Sequence, residues 1–326
     1  MNIKQFLDDE GISYEINVDL KIKTRIKRGG IASIWVQPSQ ISVFEKIIIF
    51  CQKHHLSYEV IGNTSNCYFL NDYNPQFVVS TIKLNQLSVN YDRKTINCSC
   101  GYNMTRFARY CVENGYKGYE GFVGIPGTVG GAVINNSGCY GSLISELVLE
   151  ITVIKDGHKN TLNNKDLKYE HRNSVLKSRE INAVVLNAVF SIKDREDPER
   201  LKNKAKEILT HRMTCQEHTH PNLGSTYAQL EFKQLPFLKR LINAVVIRII
   251  NATTTSEAKS LKIKTKLFLY LRNAGSFRKY VSEFGIRCFT WKDSDADNAF
   301  KDYVEFINDN TIKSKMEIEI KQNITQ

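Results

Sequence analysis

The chain has 326 residues, of which 42% are apolar and 24% charged. That composition belongs to a folded protein, not a disordered one, and the length suits about two domains. Lys and Arg exceed Asp and Glu by 45 − 34 = 11 and the pI is near 9.1, which fits an anionic partner such as nucleic acid, a membrane surface or a phosphorylated small molecule. The opening MNIKQFLDDEGISYEINVD carries acids and no apolar run, so it does not read as a signal peptide. Phe44–Cys51 and Leu241–Ala252 are too short and too interrupted by charge to span a bilayer. Eight cysteines without an export signal predict thiols in a reducing, cytoplasmic compartment.

In chain order, KIKTRIK at 21–27 alternates strictly and predicts a strand with Lys21, Lys23, Arg25 and Lys27 on one face. Gly29 and Gly30 predict a turn before IASIWVQP. Apolar positions at helical spacing predict a helix over 42–55. SYEVIG and Gln76–Lys83 read as strands and complete a β-α-β unit. A second segment begins near Leu84, with a helix over Met104–Asn114 ended by Gly115. A glycine-dense stretch runs from 118 to 141, followed by strands at Leu147–Lys155 and Ala183–Ile192. Asp197-Pro198 reads as a helix start, and Leu201, Ala205, Ile208, Leu209 and Met213 form one stripe expected to face the core. Beyond His211, LKIKTKLFLYLR alternates like a strand in its first half. Asp293–Ile307 reads as a helix and KMEIEIKQ as a closing strand. The whole is mixed α/β.

Two loops carry candidate binding chemistry. Gly124, Gly127, Gly130 and Gly131 flank Pro126 and Thr128, a pattern that exposes backbone N–H groups and lets a ligand approach the main chain. It is not the dinucleotide fingerprint G-x-G-x-x-G. Gly62, Asn63, Thr64, Ser65 and Asn66 form a polar, uncharged loop after a predicted strand, suited to a diphosphate. His211, Cys215, His218 and His220 lie within ten residues, but their spacing fits no compact zinc finger, so no metal is expected. Cys98 and Cys100 read as strand residues at a core or edge. The basic residues are spread along the chain with no nucleic-acid recognition motif.

GFVGIPGTVGGAVINNSGCYG, residues 121–141, resembles the signature of the bacterial UDP-N-acetylenolpyruvoylglucosamine reductase family. IKRGGIASIWVQP, VIGNTSN, HRNSVLKS at 171–178 and HPNLGSTY at 220–227 resemble further motifs of that family in the same order. The resemblance covers residues 18–227. It implies an α/β (α+β) fold: a two-lobed FAD-binding region of the vanillyl-alcohol-oxidase/PCMH type over 1–200, with lobes of about 1–83 and 84–200, then a smaller α+β substrate domain over 201–326. It implies non-covalent FAD held by the two loops, with NADPH as the hydride donor. A UDP-sugar would be the substrate, its enolpyruvyl ether reduced to a lactyl ether for peptidoglycan synthesis. No nucleic-acid partner and no membrane insertion are implied. The 225 − 172 = 53 residues between the arginine and serine motifs resemble the branch without an extra tyrosine-bearing loop.

By the same resemblance, Arg172 would stabilise enolate charge and Ser225 would protonate carbon. Arg212 and Asn222 would meet substrate, and a glutamate in KMEIEI would be the third catalytic residue. Strand spacing does not choose between Glu317 and Glu319; motif register selects Glu319. The sequence also departs from the family. Thr226-Tyr227-Ala228-Gln229 replaces a Phe-Lys-x-Pro continuation, His171 stands where a tyrosine is usual, and 231–290 lacks the family's glycine-rich segment. These changes keep two other readings open: a related flavin reductase acting on another enolpyruvyl sugar nucleotide, and a non-catalytic nucleotide-binding relative.

Overall fold

The structure is a computed structural model that describes residues 2–323. The first sheet has four strands in the order Tyr14–Asp19, Ile31–Val36, Phe77–Ser80, Glu59–Ile61. Its outer pair is antiparallel, with Tyr14 opposite Val36, and the other two pairings are parallel. Parallel pairing needs a crossover, which the helix Ile41–Lys53 supplies by burying Phe44, Ile47, Ile48 and Cys51. The second sheet is antiparallel throughout, in the order His158–Asn163, Val148–Lys155, Val184–Ser191, Thr95–Ser99, Leu87–Asn90. One apolar core runs from Phe44 and Val79 through Phe107 and Tyr119 to Ile151 and Phe190. The helix Pro198–Cys215 starts as expected, with the Asp197 side chain accepting from the Glu199 N–H and Pro198 in the first turn.

Beyond it a second core forms around aromatic rings. Phe289 is wholly buried, with Trp291 at 5.1 Å, Phe300 at 5.2 Å and Tyr303 at 5.3 Å between ring centroids. The strands Tyr227–Phe232 and Thr311–Met316 pair antiparallel beside it. Tyr68 reaches this core from the first lobe, 5.2 Å from Trp291, and Arg28 pairs with Asp297 at 2.9 Å. The strand Glu319–Lys321 then pairs in parallel with Cys67–Phe69, Glu319 opposite Cys67.

Four expectations need correction. KIKTRIK is not a strand: Leu20–Ile22 is a 3-10 turn whose Lys21 N–H bonds the Asp19 carboxylate, and Thr24 Oγ1 bonds both the N–H and the C=O of Arg28. Short polar side chains satisfy the backbone locally and outbid the alternating pattern. LKIKTKLFLYLR is the end of a helix, Glu257–Leu271, capped by Ser256. Thr265, Leu269 and Leu271 are its buried residues, the first two four apart, and its Leu and Lys are strong helix formers. KMEIEIKQ breaks into two strands that pair with different partners. Met213, expected in the core stripe, is 61% exposed, whereas Leu201, Ala205 and Ile208 are buried. The helix Phe237–Thr253 was not expected. Among the described residues no helix is long and apolar enough to cross a membrane.

Because Phe289 packs against four large rings, Tyr280, Trp291, Phe300 and Tyr303, and meets no solvent, Phe289→Ala should cost about 3–5 kcal/mol, read as a lowered urea midpoint of unfolding.

Candidate active site

The two glycine-bearing loops face each other. Ser65 Oγ donates to the Pro126 carbonyl at 3.1 Å. A Cβ on Gly62 would lie 2.6 Å from Thr128 Oγ1, and one on Gly127 would lie 3.0 Å from Ser65 Oγ. Gly127 has φ +124 and Thr64 has φ +48, so the main chain of both loops enters the left-handed half of conformational space. The backbone N–H groups of Asn63, Thr64, Ser65, Asn66, Gly127 and Thr128 donate to no acceptor among the described residues. Successive unpaired N–H groups in such a turn form an anion-binding concavity.

Gly130 departs from its expected role. It is buried, its N–H donates to Cys100 O at 2.7 Å, and a Cβ there would lie 2.9 Å from Cys100 Cβ. It lets the short helix Val129–Ile134 pack on the second sheet and does not face the loop. Gly131 is half-buried, with its nearest neighbour, Thr128 Oγ1, 3.6 Å from a Cβ position.

Arg172 sits beyond these loops in HRNSVLKS. It holds φ +56, an uncommon state for a side-chain-bearing residue. Two contacts hold it there: Nη2 donates to Gly138 O at 3.0 Å, and Nε lies 3.2 Å from Glu317 Oε1. This arginine therefore ties the signature loop to the carboxyl-terminal segment. Glu317, not Glu319, is its partner. The Glu317 N–H donates to Thr226 O at 2.8 Å, and the Glu317 carbonyl accepts from Asn66 Nδ2 at 3.1 Å and Lys177 Nζ at 3.2 Å. Glu319 points elsewhere, to Lys321 at 3.4 Å. Glu317 and Glu319 occupy the same sequence pattern, but the strand breaks between Met316 and Glu319, so the two carboxylates no longer share a direction.

Lys177 received no role from the sequence, although it lies within the arginine motif. Burial pulls its pKa down, opposed by the charges of Glu317 and Glu319. A desolvated cation between two carboxylates can both bind anions and lose its proton more easily than a surface lysine.

Ser225 is exposed and follows Gly224, which has φ +74. Thr226 beside it is 1% exposed, its hydroxyl has no hydrogen-bond partner, and its N–H donates to Arg287 O. Of the two hydroxyls, Ser225 is the one a ligand can reach. Asn222, expected at the substrate, spends its amide inside its own loop: Nδ2 donates to His220 O and Glu217 O, and Oδ1 accepts from Gly224 N–H. Arg212 braces the signature segment, with Nη2 on Gly121 O at 3.3 Å and the guanidinium 5.0 Å from the Tyr140 ring. His211 and Cys215 gather with Glu257, their ligand atoms within 4.8 Å of one another. His218 turns away to Gln216 O.

A profile of the FAD binding domain family matches residues 32–158. The UDP-N-acetylenolpyruvoylglucosamine reductase of Caldicellulosiruptor bescii is 34% identical over 231 residues, covering 70% of this chain and 72% of that protein. The enzyme of the same name from Streptococcus mutans is 31% identical over 220 residues, covering 67% and 70%. Among solved structures, UDP-N-acetylenolpyruvylglucosamine reductase from Thermus caldophilus superposes with a TM-score of 0.60 at 18% identity over 95% of this chain and 99% of that one. That likeness speaks for the fold: mixed α/β, as the sequence led us to expect.

The six unpaired N–H groups suit the diphosphate of a bound FAD. Gly127→Ala should therefore strain the backbone, push Ser65 and weaken FAD binding about tenfold or more. Gly11→Ala, also at positive φ but with nothing within 4 Å, should pay the strain and bind FAD normally. Fluorescence quenching on FAD titration separates the two.

Proposed function

The chain belongs to the UDP-N-acetylenolpyruvoylglucosamine reductase family, and from that premise we propose that it reduces the enolpyruvyl ether of UDP-N-acetylglucosamine enolpyruvate to UDP-N-acetylmuramate, with FAD bound non-covalently and NADPH as the electron donor. The reaction belongs to peptidoglycan precursor synthesis in the cytoplasm. We assign residues 1–200 to the flavin and 201–326 to the substrate. The observation that carries the reading is the convergence at Glu317, which sets Arg172, Lys177, Thr226 and the Asn66 loop around one point.

Gly62, Asn63, Thr64, Ser65 and Asn66, with Pro126, Gly127, Thr128 and Gly131, would hold the cofactor. When bound and reduced by NADPH, the flavin would supply the hydride for the methylene carbon. The chain's own residues do the rest. Reduction at the methylene leaves negative charge delocalised toward the substrate carboxylate. Arg172 answers it with a planar, permanently charged fork, and Glu317 keeps that fork in place. Lys177 adds a second cation beside it. The Ser225 hydroxyl delivers a proton to the adjacent carbon. A serine is a weak acid, so it needs nearby charge to carry the alkoxide left behind.

A second reading, reduction of a different enolpyruvyl sugar nucleotide, draws support from residues 226–272. There a buried threonine and tyrosine follow Ser225, and a helical pair, Phe237–Thr253 and Glu257–Leu271, succeeds them. Reduced protein offered UDP-N-acetylglucosamine enolpyruvate distinguishes the two: prompt reoxidation of the flavin is expected on the first reading, and none on the second.

Two variant sets test the roles. Arg172→Lys keeps the charge and loses the fork, so reoxidation by substrate should slow by about two orders of magnitude or more while reduction by NADPH changes little. Equal damage to both half-reactions would make Arg172 structural. Ser225→Ala should cripple reoxidation alone, with Ser225→Cys recovering part of the rate. Thr226→Val should leave it intact, because that hydroxyl is sealed from solvent. Stopped-flow absorbance of the two half-reactions reads each case.

A further inference from the structure

The helix Phe237–Thr253 carries its apolar side outward. Phe237 is 73% exposed, Leu238 66% and Ile249 55%, and Leu241, Ile242 and Val245 are also exposed. At 100° per residue these six side chains fall within an arc of roughly 140°, the width of a face that ordinarily meets a core. Here only Ile250 is buried. The opposite side already has its partner, the helix Glu257–Leu271, and Lys239 Nζ pins the pair by donating to Leu271 O at 2.7 Å. The outer face is thus not a core waiting to close within this chain. A contiguous apolar patch of this size marks an interaction surface.

The charge around it is one-sided. From Phe232 to Ser256 there are four cations, Lys233, Lys239, Arg240 and Arg248, and no acid. The partner helix adds Lys259, Lys262, Lys264 and Lys266 against Glu257 alone. Lys262 and Lys266 pair with Glu283, whereas Arg240 stacks 6.0 Å from the Phe237 ring at the edge of the apolar face. On the partner helix, Tyr270 is 76% exposed and Ile263 43%. On the same wheel Arg240 falls about 60° outside the apolar arc and Arg248 within it at about 20°, and an exposed apolar face carrying cations and no acid has the composition of a helix that lies in a membrane interface.

We propose that the helix Phe237–Thr253 docks the protein on an anionic lipid surface, its apolar face among the acyl chains and the guanidinium groups of Arg240 and Arg248 at the phosphates. The helix has 17 residues and three cations, so it lies on the bilayer and does not span it. A second copy of this chain is the poorer occupant: with a net charge of +11 and no acid on the helix, two copies would bring like charges together. Anionic headgroups complement that charge.

The full-length protein is mixed with vesicles of phosphatidylglycerol and phosphatidylcholine, or of phosphatidylcholine alone, and sedimented. Binding to the anionic vesicles only, weakened by added salt, is expected. Leu238→Ser with Leu241→Ser and Val245→Ser should lower the partition coefficient about tenfold or more. Arg240→Gln with Arg248→Gln should lower it several-fold. FAD content should be unchanged in both. No sedimentation with anionic vesicles, equal sedimentation with both kinds, or full binding by the serine variant would overturn the proposal. So would a dimer in analytical ultracentrifugation that the serine variant dissolves, which would assign the face to self-association.

Discussion

Glu317 is fixed from four sides. Its N–H is tied to the loop after Ser225, its carbonyl to both Asn66 and Lys177, and its carboxylate to Arg172. The carboxylate and the guanidinium are 15% and 26% exposed, so neither is freely solvated, and each would be costly to leave without the other. That mutual need puts a left-handed arginine, a glycine-rich signature and a serine loop in one place. Removing the pair would leave three segments without a common anchor, although each would still fold within its own core.

The same pair sets the electrostatic character of the site. Cations and carboxylates lie close together: Arg172, Lys177 and Lys315 with Glu317 and Glu319, and Lys321 beside Glu319. The carboxylates offset part of this positive charge before any ligand arrives. A substrate bearing a carboxylate adds negative charge where one guanidinium and one partly desolvated ammonium already face. The backbone N–H groups of the facing loops supply further positive potential without adding a titratable group. A basic overall charge, which first suggests polyanions, here coexists with a locality where carboxylates and cations are interleaved.

The sequence made the flavin-side architecture legible because its constraints are local. Glycines at positive φ, the Asp197-Pro198 cap and the polar loop at 62–66 can each be read within a few residues. Alternation misled twice. At 21–27 hydroxyl and carboxylate caps took over the backbone bonds, and at 261–272 a row of lysines imitated a period of two on a helix whose buried face has a period near four. The choice between Glu317 and Glu319 could not be read from spacing, because it depends on a strand that changes partners at Ile318. Lys177 went unassigned for a related reason: its importance comes from residues 140 positions away in the chain. The helix Phe237–Thr253 was hidden because an apolar stretch reads as buried unless one knows what covers it.

The pairing of Glu319 with Cys67 joins positions 319 − 67 = 252 residues apart. Closing so long a loop costs entropy that grows only slowly with length, but contacts of that separation form late and slow the search for the native state. The signature can reach its shape early, since Gly130 is held by Cys100 beside the second sheet, but the 62–66 loop also leans on the carboxyl-terminal segment, through Asn66 to Glu317 O and from Glu319 N–H. Arg172 cannot settle early either, because its carboxylate partner is synthesised 145 residues after it. Both the Asn66 loop and Arg172 therefore wait for partners that leave the ribosome near the end of the chain. The last strand is thus a single late closure that completes two separate loops at once.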